Sequence, residues 1–520
     1  MKTVLRKTLA IILSLVVLIG LCASLSFASA QAGTRVTVST DKGTIAGIRE
    51  NGIDIFKGIP YAKPPVGKLR WKAPQPVKAW TGVKECTTFS ANAMQNDQVT
   101  DETYSEEFIV DTSLGYSEDC LYLNVWSKDD GRKNKPVIVY IHGGGFAAGG
   151  ASCEVYDGVG IAEKGTVFVN FNYRLGAMGF YTNTELTEES ENGTSGNYAL
   201  LDMIAALKWV KHNAASFGGD ASNITVVGQS AGACCTELLA ASPKAKGLFQ
   251  KAVVLSFPQI KHAYRSLEDA NENGDKLAQG KSLNELRSMS AKDVMAQFKS
   301  EGKLYWSPIR DGKIVKSKTR TSYLKGTAND IPILYCSVPG DNYMGDGIGL
   351  ITPGSLTNKL GDLGTIAASA GSELLNTLSE DDVTLSRDLL MANYYTSARA
   401  RTTTLSAKTY LAYFDYVMPG PNSERVGAFH TSDVPYWLNH LSDKRSSYWT
   451  EADRRLADTM SSYLVNFART GNPNGTGLPR WNAFDGSFAF QNMTTGGTVK
   501  TVAPDEQQLW ENYSDYLLQQ

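Results

Sequence analysis

Ten residues in the middle of the chain, Ile224-Thr-Val-Val-Gly-Gln-Ser-Ala-Gly-Ala233, restrict the fold more than any other stretch. Four residues suited to a buried strand run into Gly228-Gln-Ser-Ala-Gly232, and a small-residue run that can start a helix follows. A strand that turns this sharply into a helix leaves Ser230 at the apex. Gly228 and Gly232 then provide room where a Cβ would collide with the neighbouring strand or helix. The helix beginning near Ala231 aims unpaired N–H groups and the positive end of its dipole at charge developing beside Ser230. Gly-x-Ser-x-Gly is frequent by chance, so a nucleophilic role for Ser230 depends on the rest of the chain.

The flanking sequence alternates strand-like and helical segments. Pro136-Val-Ile-Val-Tyr-Ile141, Thr166-Val-Phe-Val-Asn-Phe171 and Lys251-Ala-Val-Val-Leu-Ser256 read as core strands, as do residues 120–126, 331–336 and 409–415. Residues 197–213 carry Leu200, Ile204, Leu207 and Val210 at helical spacing. A helix over about 453–470 ends at Gly471-Asn-Pro-Asn474, a fitting stop. This alternation predicts an α/β fold with a large, mostly parallel central sheet flanked by helices on both faces. Residues 35–47 suggest a β-hairpin around Asp41-Lys-Gly43. Residues 56–71, rich in Gly and Pro, read as an ordered, extended surface segment. The acidic stretch 95–117 reads as a solvated loop, and residues 261–325 as helical and outside the sheet.

At 520 residues the chain is long enough for one large domain, expected over 31–520. Residues 1–30 have the form of a secretory signal: Lys2, Arg6 and Lys7, an apolar run over about 9–21, and Ala28-Ser-Ala30 as a cleavage site. The expected location is therefore outside the cytoplasm, with no membrane span in the mature chain. A net charge of -2 gives no reason to expect nucleic acid as partner. The five histidines show no metal-ligand spacing, so neither a metal nor an organic cofactor is expected. Cys234 and Cys235 read as small buried helix residues, and no disulfide pairing follows from the spacing.

A serine hydroxyl becomes a nucleophile when a histidine takes its proton and a carboxylate fixes that histidine's tautomer. His262, His430 and His440 follow Ser230. His430 lies in Gly427-Ala-Phe-His-Thr-Ser-Asp-Val-Pro-Tyr436, an irregular loop after the 409–415 strand, and is the expected base. The carboxylate should follow the 331–336 strand, which offers Asp341, preferred, and Asp346. His142-Gly-Gly-Gly145 follows a strand and suits an oxyanion hole, with donors from Gly144, Gly145 and Ala231. One such donor is typically worth ~2.7–4 kcal/mol in the transition state. His142 is expected to brace this loop.

Several longer motifs now coincide. Gly58-Ile-Pro-Tyr-Ala-Lys-Pro-Pro-Val-Gly67 with Leu69-Arg-Trp71, Glu118-Asp-Cys-Leu-Tyr-Leu-Asn-Val125, Asn172-Tyr-Arg174, Phe217-Gly-Gly-Asp220 and Phe467-Ala-Arg-Thr-Gly-Asn-Pro-Asn474 stand in order around the serine motif. In this the chain resembles the type-B carboxylesterases, the cholinesterase-like branch of the α/β-hydrolase superfamily. The resemblance implies an α/β-hydrolase fold and hydrolysis of a small-molecule carboxylic ester through an acyl-enzyme. It implies Ser230, His430 and a carboxylate as triad, with Gly144, Gly145 and Ala231 as oxyanion donors. The family usually carries Glu where Gln229 stands, and cholinesterases place a Trp between the positions of Cys86 and Cys120, where this chain has none. Both departures argue against choline esters. Ser256-Phe257 replaces the usual Ser-Gly and narrows the expected acyl side. Asp341 stands where the family commonly has Glu in an Asp-Glu-Gly context, and the usual partner of Cys120 falls near Met94, which leaves a Cys86–Cys120 bridge without family support. The expected substrates are uncharged short-acyl or aromatic esters. The alternatives are a feruloyl or acetyl esterase of plant-wall material, a lipase, or a non-catalytic cholinesterase-like binding protein.

Overall fold

The computed structural model describes residues 33–98, 100, 104–257, 264–298, 306–341, 382–494 and 499–519. A 13-stranded sheet forms its frame. The chain enters through β1 (Thr34–Ser39) and β2 (Thr44–Glu50), the expected antiparallel hairpin. Next come β3 (Ile53–Pro60), which extends the meander, and β4 (Val83–Glu85), a short strand beside β2.

Here the structure corrects the expectation of a surface segment over 56–71. Residues 56–60 belong to β3, which pairs inside the sheet with β5 (Tyr122–Lys128). The register slips between Phe56 and Ile59, and Gly58 lies in that slip at φ 75°. A left-handed glycine lets a bulge absorb the irregularity, so a Gly- and Pro-containing run can still be a strand. Arg70 and Trp71 are buried too: Arg70 grips Glu118 through Nε and Nη2, and Trp71 Nε1 donates to the Ala177 carbonyl at 2.9 Å.

The remaining strands are β6 (Lys135–Ile141), β7 (Val167–Phe171), β8 (Gly219–Gln229), β9 (Lys251–Leu255), β10 (Ile333–Ser337), β11 (Thr409–Tyr413), β12 (Ala489–Asn492) and β13 (Val499–Thr501). Across the sheet the order is β1-β2-β3-β5-β7-β6-β8-β9-β10-β11-β12-β13, parallel from β7 through β12 and antiparallel at both flanks. Alternate side chains of the central strands enter two cores. Val226, Ala252 and Val254 face one with Leu200, Leu238 and Met391; Val227, Val253 and Leu255 face the other with Leu456, Met460 and Leu464. These partners come from α1 (Tyr198–Asn213), α2 (Ala231–Ala241), α3 (Asp382–Thr402) and α4 (Glu451–Thr470). Coverage of both faces is what allows near-continuous apolar strands. Thr450 and Asp453 form a capping box at the start of α4, and Gly471 ends it at φ 77°.

A parallel array places the C-terminal ends of β6, β8, β10 and β11 along one edge. The loops carrying His142–Gly145, Ser230, Asp341 and His430 all leave from that edge.

Candidate active site

Ser230 occupies the turn between β8 and α2 with φ 56° and ψ −125°. A residue with a Cβ adopts that backbone only when its surroundings enforce it. Ser230 N donates to Leu255 O at 2.9 Å, and Ser230 O accepts from Cys234 N at 3.0 Å. A Cβ on Gly228 would lie 2.2 Å from Gly232 O, and one on Gly232 would lie 2.1 Å from Ile141 O. No side chain fits at either place, and the close approach of strand and helix follows from that. Cys234 and Cys235 lie buried in α2 as expected.

The glycine loop abuts the serine from the end of β6. A Cβ on Gly143 would come within 2.8 Å of Ser230 Cβ. Gly144 and Gly145 have φ of 110° and 60°, and a Cβ on Gly144 would meet Ala148 O at 2.1 Å. Among the described residues, neither their N–H groups nor that of Ala231, at the start of α2, donates a hydrogen bond within the protein. His142 stacks on Tyr173 with centroids 4.3 Å apart, and its Nδ1 donates to Gly143 O at 2.8 Å. Burial pushes its imidazole down to about 4. A neutral ring fixed in this way braces the loop. Gln95 clasps the loop's far end, donating to Gly149 O at 2.8 Å and accepting from Gly149 N at 2.9 Å.

His430 and Asp341 come together across 89 residues, with Nδ1 and Oδ1 2.7 Å apart. The backbone makes this contact possible. Gly340 N donates to Ala428 O at 2.9 Å, and a Cβ on Gly340 would lie 2.6 Å from that oxygen and 2.7 Å from Phe429 Cα. Asp341 Oδ2 accepts from Val338 N at 3.1 Å, which orients the carboxylate. The imidazole's other nitrogen faces the side-chain amide of Gln229, Nε2 to Nε2, at 3.1 Å. No hydrogen bond from Ser230 Oγ reaches it among the described residues. Asp346, the alternative acid, and His262 lie outside the described residues.

The profile of the carboxylesterase family matches residues 34–345 and 363–510. The chain belongs to this family. It is 34% identical over 481 residues to the para-nitrobenzyl esterase of Bacillus subtilis (strain 168), covering 87% of this chain and 93% of that protein. It is 32% identical over 472 residues to the fumonisin B1 esterase of Sphingopyxis macrogoltabida, covering 86% and 84%. Among solved structures, a PNB esterase matches with a TM-score of 0.77 at 30% identity, over 92% of this chain and 99% of that one. A Geobacillus stearothermophilus carboxylesterase matches with a TM-score of 0.75 at 29% identity, over 91% and 99%. The protein is thus a carboxylic-ester hydrolase with the α/β-hydrolase fold.

Around the histidine of this esterase stand residues that the sequence did not single out. Of the stretch 95–117, expected to be a solvated loop, residues 99 and 101–103 lie outside the described residues, and residues 104–110 are anchored instead. Phe108 and Val110 are buried, Glu107 forms an ion pair with Arg445, and Tyr104 donates its hydroxyl to His430 O at 3.1 Å. The few apolar residues in an acidic run and a partner far along the chain pull it inward. Asp433 lies in the same turn as His430, fully buried, its Oδ2 accepting from Trp437 Nε1 at 3.1 Å. Burial, with the Asp341 charge added, pushes its carboxyl up to about 7. All six described cysteines are unpaired, so a Cys86–Cys120 bridge is not formed.

Proposed function

We propose that this carboxylesterase is exported and hydrolyses uncharged short-acyl or aromatic esters through an acyl-enzyme on Ser230. The observation that supports the acyl-enzyme is the bond between His430 Nδ1 and Asp341 Oδ1, with the imidazole facing Gln229, the residue before a serine held at φ 56°. In the first half-reaction Ser230 Oγ attacks the ester carbonyl and its proton passes to His430 Nε2. Asp341 holds the imidazole tautomer and stabilises the imidazolium. Gly144, Gly145 and Ala231 are the N–H donors assigned to the oxyanion. His430 then returns the proton to the leaving alkoxide, and the bond from acyl carbon to alcohol oxygen breaks. A water activated by His430 releases the acid in the second half-reaction.

The neutral amide of Gln229, where relatives usually carry a carboxylate, supports uncharged substrates. Similarity to a para-nitrobenzyl esterase, named for esters of a benzylic alcohol, supports the aromatic class. A p-nitrophenyl ester series with choline and benzyl esters alongside tests the reading. Highest kcat/KM on short-acyl or benzyl esters is expected; a maximum on long-chain or choline esters would overturn it. Export is tested by N-terminal sequencing of protein from the culture medium, with a mature chain beginning near Gln31 expected.

A further inference from the structure

His430 commits Nδ1 to Asp341. A carboxylate only accepts, so Nδ1 carries the proton and Nε2 offers a lone pair. That lone pair meets one N–H of the Gln229 amide, at 3.1 Å. The second N–H of the same amide meets Thr431 Oγ1, also at 3.1 Å. Turned the other way, the amide oxygen would face the lone pair, so the network fixes this orientation. Gln229 is 1% exposed, which leaves water little chance to compete. Thr431 is held at φ 84°, a strained conformation for a β-branched residue, with its hydroxyl against the amide.

This arrangement occupies the lone pair that Ser230 needs. Once His430 accepts the serine proton, Nε2 becomes a donor facing the amide donor. The terminal torsion of a glutamine is broad and roughly two-fold, so the amide can turn over and bring Oε1 to the new N–H. The Thr431 hydroxyl donates as well as accepts, and so supports either orientation. A carboxylate at 229 could only accept, and its charge would favour the imidazolium throughout.

We propose that Gln229 and Thr431 form a reversible amide latch on the catalytic base, donating to the resting imidazole and turning over to accept from the imidazolium. Both are positioning residues acting through His430, and the assignment rests on the triad reading above. The latch carries activity to lower pH than a carboxylate at 229 would. Among the described residues, the other titratable groups around the imidazole are Asp341 at Nδ1, Tyr104 on its carbonyl, and Tyr394 from α3, 3.5 Å from Asp341 Oδ2. Asp433 in the same turn and Cys336 near the end of β10 feel the charge of Asp341. None of these bonds to Nε2.

The test is the kcat/KM profile for p-nitrophenyl acetate over about pH 4.5 to 8. It compares the full-length protein with Gln229→Glu, Thr431→Val and Thr431→Ser. Gln229→Glu should raise the acidic limb by about one pH unit, a roughly tenfold loss below it. Thr431→Val should lower the plateau about threefold or more, and Thr431→Ser should restore it. An acidic limb that stays put in Gln229→Glu, or equal plateaus in the two Thr431 variants, would overturn the latch. If Gln229→Glu does not fold, the Thr431 pair decides alone. Fluorophosphonate labelling of the unaltered enzyme separates the two claims. Labelling of Ser230 with an unmoved limb rejects the latch alone, whereas no labelling of Ser230 rejects the triad and the latch with it.

Discussion

Ser230 sits on a turn formed by adjacent residues, whereas His430 and Asp341 meet from loops 89 residues apart. The serine turn is built from the end of β8, the start of α2 and two glycines whose Cβ atoms would have nowhere to go, and the adjacent strand β9 ties it down through Leu255 O. The His430–Asp341 contact needs two loops to touch at Gly340 and Ala428, with Tyr104 and Phe108 from a third segment packed on Phe429 beside the histidine. Strain is built into the first device and long-range assembly into the second. Changes at the serine should therefore alter chemistry alone, and changes at the loop junction should alter chemistry and stability together.

The largest effect expected is at the serine. Ser230→Ala should reduce kcat on p-nitrophenyl acetate by roughly 10⁵–10⁶-fold while leaving the thermal midpoint nearly unchanged, since Ser230 Oγ makes no hydrogen bond among the described residues. A matching loss of stability would show that the turn at Ser230 depends on the hydroxyl. Asp341→Asn should lower kcat by about 10⁴-fold, because an amide can leave the imidazole in the wrong tautomer. Gly340→Ala probes the junction itself. Its Cβ would push against Ala428 O and Phe429 Cα, so we expect a destabilisation of about 1–3 kcal/mol and a kcat loss of about 10²-fold. Activity loss without destabilisation would blur the contrast between the two regions.

The smallest effect on activity is expected beneath the junction, at Asp433, where the change is one of stability. Its carboxyl is raised from 3.8 to about 7 in the folded protein, so the native state keeps a proton that the unfolded chain has released. Its contribution to stability is then full below about pH 4 and is lost as pH rises through about 7. The urea midpoint should fall between pH 5 and pH 8, and Asp433→Asn should flatten that fall. An equal fall in the variant would remove Asp433 from the account.

What was legible in the sequence follows the same division. The turn at Ser230, the parallel strands, α1 and α4 were readable because apolar periodicity, glycines and caps are local signals. The strand at 56–60 was not, because its Gly and Pro mask a bulged position whose partner, β5, lies about 65 residues on. The anchoring of 104–110 was hidden for a similar reason, since Glu107 finds Arg445 only in the fold. Gln229 was legible as a missing charge, but its contact with His430 and Thr431 was not. A positive φ at a threonine has no sequence signature. Asp341 was readable as a carboxylate after a strand, and only the Gly340 contact shows why it meets His430.

The central claim is an acyl-enzyme on Ser230, and mass spectrometry of the phosphonylated protein tests it most directly. After treatment with a fluorophosphonate, peptide mapping should place one adduct on Ser230, and Ser230→Ala should take up none and lose hydrolysis of p-nitrophenyl acetate. An adduct on another residue, or undiminished hydrolysis by Ser230→Ala, would contradict the account.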